Sequence, residues 1–244
     1  MNKHLIPLIL ATAALAVAFP FKGYADSTNA SAKVTLQSSY LNVLGPITAS
    51  TGTTSNISSG WQTVLEQAIK TANNHDLLIN AGFEVGLLTQ TTVSSKNMVT
   101  DTSTATASIK VRALVDGVPA APGEVVYGKR TQTLSATLEG AIANCLSVAT
   151  NSAGGLQIIL DTNCVQPEVI GLLNDSVSAN SFLFAAPNLS SGFHDIQIQA
   201  RIDALGDNQN GSFTATGLMG KGTMTAESVR LAKDPVYPYI IPMQ

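Results

Sequence analysis

The chain has 244 residues, of which 45% are hydrophobic and 12% are charged, and its formal net charge is −3. No basic patch is present, so nucleic acid and anionic membrane surfaces are poor candidate partners. The length is enough for one large β domain or two small ones.

The first 25 residues are typical of a secretory signal. One Lys precedes an apolar run from Leu5 to Phe19, and the small residues Gly23 and Ala25 mark a cleavage site. The run is shorter than the roughly 20 residues of a spanning helix, and no later segment is continuously apolar over that length. The sequence therefore predicts export to the periplasm or the cell exterior, with no membrane span.

Residues 26–60 are dominated by Ser, Thr, Asn, Ala and Gly, which predicts a flexible arm. One alternating run inside it, KVTLQSSYLNV, suits a strand. An exposed sheet edge can accept an added strand. We therefore expect the arm to pair with a sheet edge, either within the chain or in a neighbouring copy. The second arrangement would give a homo-oligomer by strand addition.

The globular domain is predicted over residues 61–233, followed by an extended, proline-rich tail at 234–244. Three runs inside the domain, ATASIKVRALV, TQTLSATL and IQIQARI, alternate apolar with polar residues, as half-buried strands do. DLLINAGFEVGLL is apolar on both phases and predicts a long central strand, bent at Gly82 or Gly86. A hairpin connection is expected at Gly220–Gly222.

Two stretches fit this pattern less well. WQTVLEQAIKTANN suits a helix or a strand, and VQPEVIGLLNDSV predicts one short helix, starting at Pro167, in a disulfide-flanked insert. Many short strands separated by Gly/Pro turns indicate an all-β fold, an antiparallel β-sandwich of jelly-roll type.

Cys145 and Cys164 are the two cysteines of the chain. An even number in an exported protein predicts a disulfide, closing a loop of roughly 20 residues and contributing about 3 kcal/mol. Their spacing fits no zinc pattern.

The order of several phrases resembles a group of exported bacterial and archaeal β proteins of unassigned function. The phrases are WQTVL, DLLI, FEVGL, DTSTATASIKVRALVDG, FHDIQIQAR and ESVRLA, and the similarity covers nearly all of residues 61–231. GFHDIQIQARI with the strands after it is also similar to the closing strands of jelly-roll domains of the C1q and TNF type. The resemblance implies strand order and leaves the ligand open, because this fold hosts many functions.

The dipeptides His75-Asp76 and His194-Asp195 are the strongest catalytic candidates. Adjacent strand residues point to opposite faces, so each pair is better explained as the entry to a strand, with His194 at the rim of the core. A hydrolase would need His75, His194 and Glu84 to converge. We expect Glu84 instead to face solvent or to pair with Lys110 or Arg112.

Two binding alternatives remain. Trp61 and Tyr127, the latter in a turn VVYGK, are the aromatic residues that a carbohydrate-binding module would use. The segment DALGDNQNG is an oxygen-rich loop in which Asp203, Asp207 and Asn208 suit calcium, although turns use the same residues. No other cofactor is predicted. The preferred function is an exported, non-catalytic binding or structural module of unknown periplasmic or extracellular ligand, with a carbohydrate-binding module and a hydrolase as alternatives.

Overall fold

A computed structural model of the chain describes residues 33–49, 54–142, 145–208 and 210–231. The predicted signal segment and the C-terminal tail lie outside these residues. The strands are β1 (Lys33–Ser39), β2 (Asn42–Ala49), β3 (Thr54–Ser58), β4 (Gln62–Thr71), β5 (His75–Ser95), β6 (Val99–Val115), β7 (Val118–Pro119), β8 (Val125–Leu138), β9 (Leu146–Thr150), β10 (Leu156–Leu160), β11 (Glu168–Leu189), β12 (Gly192–Asn208) and β13 (Gly211–Val229).

Two antiparallel sheets pack face to face. The first sheet has the order β1-β13-β5-β11, with β2 also paired to β13, and the second has the order β3-β12-β6-β7, with β4 on β12 and β8 on β6. The chain changes sheet between β2 and β3, β4 and β5, β5 and β6, β8 and β11, β11 and β12, and β12 and β13. This connectivity is that of a jelly-roll sandwich, and it confirms the predicted fold class.

The core lies between the sheets and follows the predicted alternation. Ile109, Val111, Ile196, Ile198 and Ile202 are fully buried. On β8 the residues that face inward are the ones that the alternation predicts, although Leu134 and Leu138 are only half-buried. A bent central strand was expected at DLLINAGFEVGLL, and this run is the first part of the 21-residue β5.

One end of the sandwich contains the end of β5, the start of β6, the end of β8 and the start of β11. Its interior is polar. The buried side chain of Gln132 accepts from Thr89 Oγ1 at 3.0 Å and donates to Thr91 Oγ1 at 2.5 Å. At this end the inward-facing Ile170 and Leu172 of β11 are still 41% and 39% exposed.

Three local predictions are wrong. The stretch after Pro167, for which a helix was predicted, is strand β11. The helical part of the insert is instead a 3-10 turn at Thr162–Cys164, where Asp161 Oδ1 accepts from Asn163 N at 2.9 Å. No hairpin occurs at Gly220–Gly222, because β13 is continuous and bulges there between Met219 and Gly222. VVYGK is part of strand β8 rather than a turn. WQTVLEQAIKTANN, left open between helix and strand, contains β4.

Three strands come from the segment for which an arm was expected. β1 and β2 pair with β13, and β3 pairs with β12. Leu44 and Ile47 of β2 belong to the core. The expected pairing of this segment with a sheet edge therefore occurs within the chain.

Candidate functional site

Trp61 lies against the outer face of the second sheet, where two guanidinium groups contact its ring. The carbon atoms Cζ of Arg112 and Arg201 are 4.2 and 4.5 Å from the ring centroid. Cation–π contacts of this kind stabilise the ring position. A sugar stacked on Trp61 would compete with these arginines for the aromatic surface.

Tyr127 is separated from Trp61 by the core. It is buried, its hydroxyl donates to Ala81 O at 2.6 Å, and its ring meets that of Phe83 edge-on at 6.3 Å. Burial raises the pKa of Tyr127 well above its ordinary value, and a backbone hydrogen bond from Phe182 offsets this only in part. The structure thus does not bring the two predicted aromatic residues together on one concave face.

The buried phenol predicts a loss of stability at high pH. The folded protein keeps the Tyr127 proton where an unfolded chain, with a pKa of about 10, loses it. The contribution of the Tyr127 phenol to the free energy of unfolding is therefore intact below pH 10 and decreases as the pH rises above 10. Tyr127→Phe should cost about 1 kcal/mol at pH 8, through the lost hydrogen bond, and should show a weaker decline in melting temperature between pH 9 and 11. Equal declines in both proteins would contradict this assignment.

The two His-Asp pairs do not form a common site. His75 Nδ1 lies 3.0 Å from Ser228 Oγ, whereas Asp76 is buried and accepts from two backbone amides, Asn188 N and Leu231 N, each at 2.7 Å. Asp76 thereby joins the end of β11 to the residues that follow β13. The sequence shows only that Asp76 lies at the start of a strand. It does not show which backbone amides Asp76 binds.

His194 is held by its surroundings on both sides of the imidazole. Its Nδ1 is 2.6 Å from Asp116 Oδ2 and its Nε2 is 2.9 Å from Ser190 O, while the other oxygen of Asp116 accepts from Asp195 N at 2.9 Å. The side chain is buried. These contacts agree with the expected position at the core rim and leave neither ring nitrogen directed at Glu84, which faces solvent on β5 in the other sheet.

The residues proposed for calcium lie on strand β12 rather than in a loop, since β12 continues to Asn208. Asp203 is already paired with two cations, Lys110 Nζ and Arg201 Nε, each at 3.1 Å, while Asp207 is exposed. Glu124 bridges the same two cations at 2.9 and 3.2 Å. Hydrogen bonds to Glu124 and Asp203 raise the pKa of Lys110. Calcium binding by Asp203, Asp207 and Asn208 stays a prediction, and within the described residues no group of three or more His, Cys, Asp or Glu side chains is placed to hold a metal ion.

A groove of about 550 Å³ lies on the outer face of the first sheet. Gly82 and Ala179 leave its floor low, and the longer side chains of Tyr40, Glu84 and Lys221 stand around it. Sequence reasoning missed this groove. The sequence feature that indicates the groove is Lys221 between two glycines. This pattern suits a hairpin turn, but it forms a bulge in the central strand β13.

The second unusual surface is the edge of β11, which along residues 168–179 pairs only with β5 among the described residues. Residues 168–179 of this strand are exposed on both faces of the sheet. Val169, Leu173 and Val177, which project from the outer face, are 65%, 65% and 74% exposed. An uncovered strand edge with apolar side chains is a template for pairing with another chain.

A projecting hairpin lies at the same end of the sandwich. β9 and β10 form a separate two-stranded sheet, and the disulfide Cys145–Cys164, with a Cα–Cα distance of 5.5 Å, closes its base as predicted. Every residue of β10 is exposed, including Leu156 at 81% and Ile158 at 70%. Exposed apolar surface of this extent is uncommon on a monomeric protein.

No protein-family model and no curated protein matches the chain. Among solved structures, it aligns with capsid proteins of infectious bursal disease virus. The Gt strain structure is 7% identical over 83% of this chain and 43% of the viral chain, with a TM-score of 0.19. The T=1 particle is 8% identical over 92% and 44%, with a TM-score of 0.13. The chain spans less than half of these viral proteins, and at such TM-scores the alignments carry no argument.

Proposed function

We propose that the protein is an exported, non-catalytic structural module that associates with a second copy of itself through the edge of β11. The observation that carries this proposal is the exposure of residues 168–179 on both faces of the sheet. The disulfide is typical of an oxidising compartment, and among the described residues no helix is long and apolar enough to cross a membrane.

The other sheet edges are interrupted, whereas the first part of β11 is not. The β1/β2 edge is divided between two strands and has a register shift opposite Ala215–Gly217. The β3/β4 edge is divided and shifts at Ile198–Gln199. The β7/β8 edge contains Pro119 and a register shift at Ile109–Lys110. Such breaks protect edges from pairing with other chains.

β11 has none of these protections in its first part. It pairs with β5 without a register shift from Glu168 to Ala186, and that span contains neither Pro nor a basic residue. Its outer face continues into Leu88 on β5, which is 38% exposed. The strand therefore offers both unpaired backbone groups and apolar side chains to a partner.

A second copy suits this edge because the strand is compatible with its own antiparallel image. Glu168 and Asp175 are its charged residues. With a twofold axis at Leu173, perpendicular to the sheet, Glu168 faces Ser178 and Asp175 faces Gly171, so no two carboxylates oppose each other. A parallel, in-register pair would place like charges together, which is destabilising. An isologous contact through one open edge closes at a dimer instead of growing into a fibre.

Light scattering on the chain without residues 1–25 tests the proposal. We expect a mass in solution of twice one chain, and the Leu173→Lys/Val177→Lys double variant should reduce it to that of one chain, because two ammonium groups would enter the apolar contact on each side. Thr133→Lys/Thr137→Lys, on the exposed face of β8, is the matched control and should remain dimeric. A monomeric parent protein, or a dimer that survives the β11 substitutions, would refute pairing through this edge.

A hydrolase is less well supported. Of the residues that it would need, Glu84 lies nine residues beyond His75 on the same extended strand, about 30 Å away, and His75 and His194 have their own hydrogen-bond partners. No observation on the described residues favours this alternative over the structural module.

A further inference from the structure

We infer that the groove around Tyr40, Glu84 and Lys221 is a binding site for a neutral saccharide. The three side chains that carry this inference lie on or beside β1, β5 and β13, and the groove borders β11 only at residues 179–181, at the end of the exposed segment 168–179.

The floor of the groove is built across four paired strands. Ser38 of β1 is opposite Thr223 of β13, Thr223 is opposite Gly82 of β5, and Gly82 is opposite Ser181 of β11. The two inner strands of this floor, β13 and β5, have sheet neighbours on both sides. Over these strands the groove recognises a ligand through side chains.

A β-bulge in the middle of β13 places Lys221 at the groove. Before the bulge the odd-numbered residues Ala215, Gly217 and Met219 face the core, and after it the even-numbered Gly222 and Met224 do, so Gly220 and Lys221 both face outward. The bulge is closely packed at its glycines: a Cβ on Gly220 would lie 3.1 Å from Glu84 Cβ, a tight contact, and one on Gly222 would overlap the ring of Phe83. Bulges in strands commonly redirect a side chain toward a functional site.

The chemistry of the groove points to an uncharged ligand with many hydroxyl groups. Glu84 and Lys221 form no ion pair or hydrogen bond with any described residue, so the carboxylate is free to accept and the ammonium free to donate. Each charge disfavours a ligand of its own sign, and together they favour a neutral one. Ser181 Oγ, which donates to Asn80 Oδ1 at 2.7 Å, has its lone pairs available as a further acceptor.

Tyr40 supplies the apolar surface that a sugar ring needs. Its side chain is 83% exposed, although it lines the groove. A tyrosine presents an apolar face and a polar hydroxyl together, as recognition of a pyranose requires. The groove volume, about 550 Å³, is within the usual range for small-molecule sites and exceeds what a free amino acid would fill.

Isothermal titration with maltotriose, cellotriose, xylotriose and N,N′,N″-triacetylchitotriose tests the assignment. We expect saturable binding of at least one of these probes, with at least tenfold weaker binding by Tyr40→Ala and by Glu84→Gln. Phe193→Ala, which removes an aromatic side chain that is 53% exposed on the other sheet, should bind like the parent. Melting curves and light scattering establish that each variant keeps its fold and its mass.

Three results would overturn the inference: no binding of any probe, binding that Tyr40→Ala leaves unchanged, or saturable binding of free glycine that Glu84→Gln and Lys221→Met abolish. The last would identify a zwitterion site. Because the substitutions avoid the β11 edge, loss of sugar binding and loss of the dimer are distinguishable.

Discussion

Replacing Asp76 by Ala should lower the free energy of unfolding by about 3 kcal/mol. The side chain is 1% exposed, and its two oxygens accept from Asn188 N and Leu231 N at 2.7 Å. An unsatisfied buried amide costs about 1–3 kcal/mol, and Ala leaves two of them without this acceptor. For a chain of this size the melting temperature should fall by roughly 6–12 °C.

The second His-Asp pair provides the matched control for this prediction. Asp195 is half-buried and its carboxylate accepts from Gln197 Nε2 at 3.2 Å, a side chain that water can replace. Asp195→Ala should change stability by less than about 0.5 kcal/mol. Asp76→Asn keeps one acceptor and should lie between the two. Equal effects of Asp76→Ala and Asp195→Ala in thermal melts would show that Asp76 does not join the two strand ends.

Removal of the disulfide by Cys145→Ser/Cys164→Ser should cost about 3 kcal/mol, because the crosslink spans 19 residues and restricts the unfolded chain. Denaturant unfolding of the parent and the double variant measures the difference. With reductant, the parent protein should have the same free energy of unfolding as the variant. Reductant should not change the free energy of unfolding of the variant.

The state of the thiols provides a separate check of this prediction. In natively purified, unreduced protein, mass spectrometry should detect no alkylatable cysteine. Two reactive thiols, or a parent that is no more stable than the variant, would contradict a structural role for the bond.

Local alternation was sufficient to predict the sandwich. ATASIKVRALV and IQIQARI alternate with a period of two, and their inward residues are all buried. The disulfide followed from a count of cysteines. The strand after Pro167 could not be predicted this way, because VIGLL suits a helix and a strand alike, and its pairing with β5 brings together residues about 80 apart in sequence.

The candidate sites were less accessible to sequence reasoning. Trp61 and Tyr127 are correct residue types for sugar binding, yet alternation alone does not show that Arg112 and Arg201 contact the first or that the second is in the core. The segment Gly220-Lys221-Gly222 has the composition of a turn. That it is a bulge follows only from its pairing with the neighbouring strands β5 and β1. Whether a strand edge is free also depends on the whole topology.

Amide hydrogen exchange along residues 168–179 tests the central claim most directly. In an antiparallel pair every second amide of β11 bonds to β5, and those between them point away from the sheet. If a second copy pairs with this edge, the outward amides of the parent protein are protected at concentrations where it is dimeric, and they exchange freely in Leu173→Lys/Val177→Lys. Rapid exchange of the outward amides in the parent protein, at every concentration, would contradict the account.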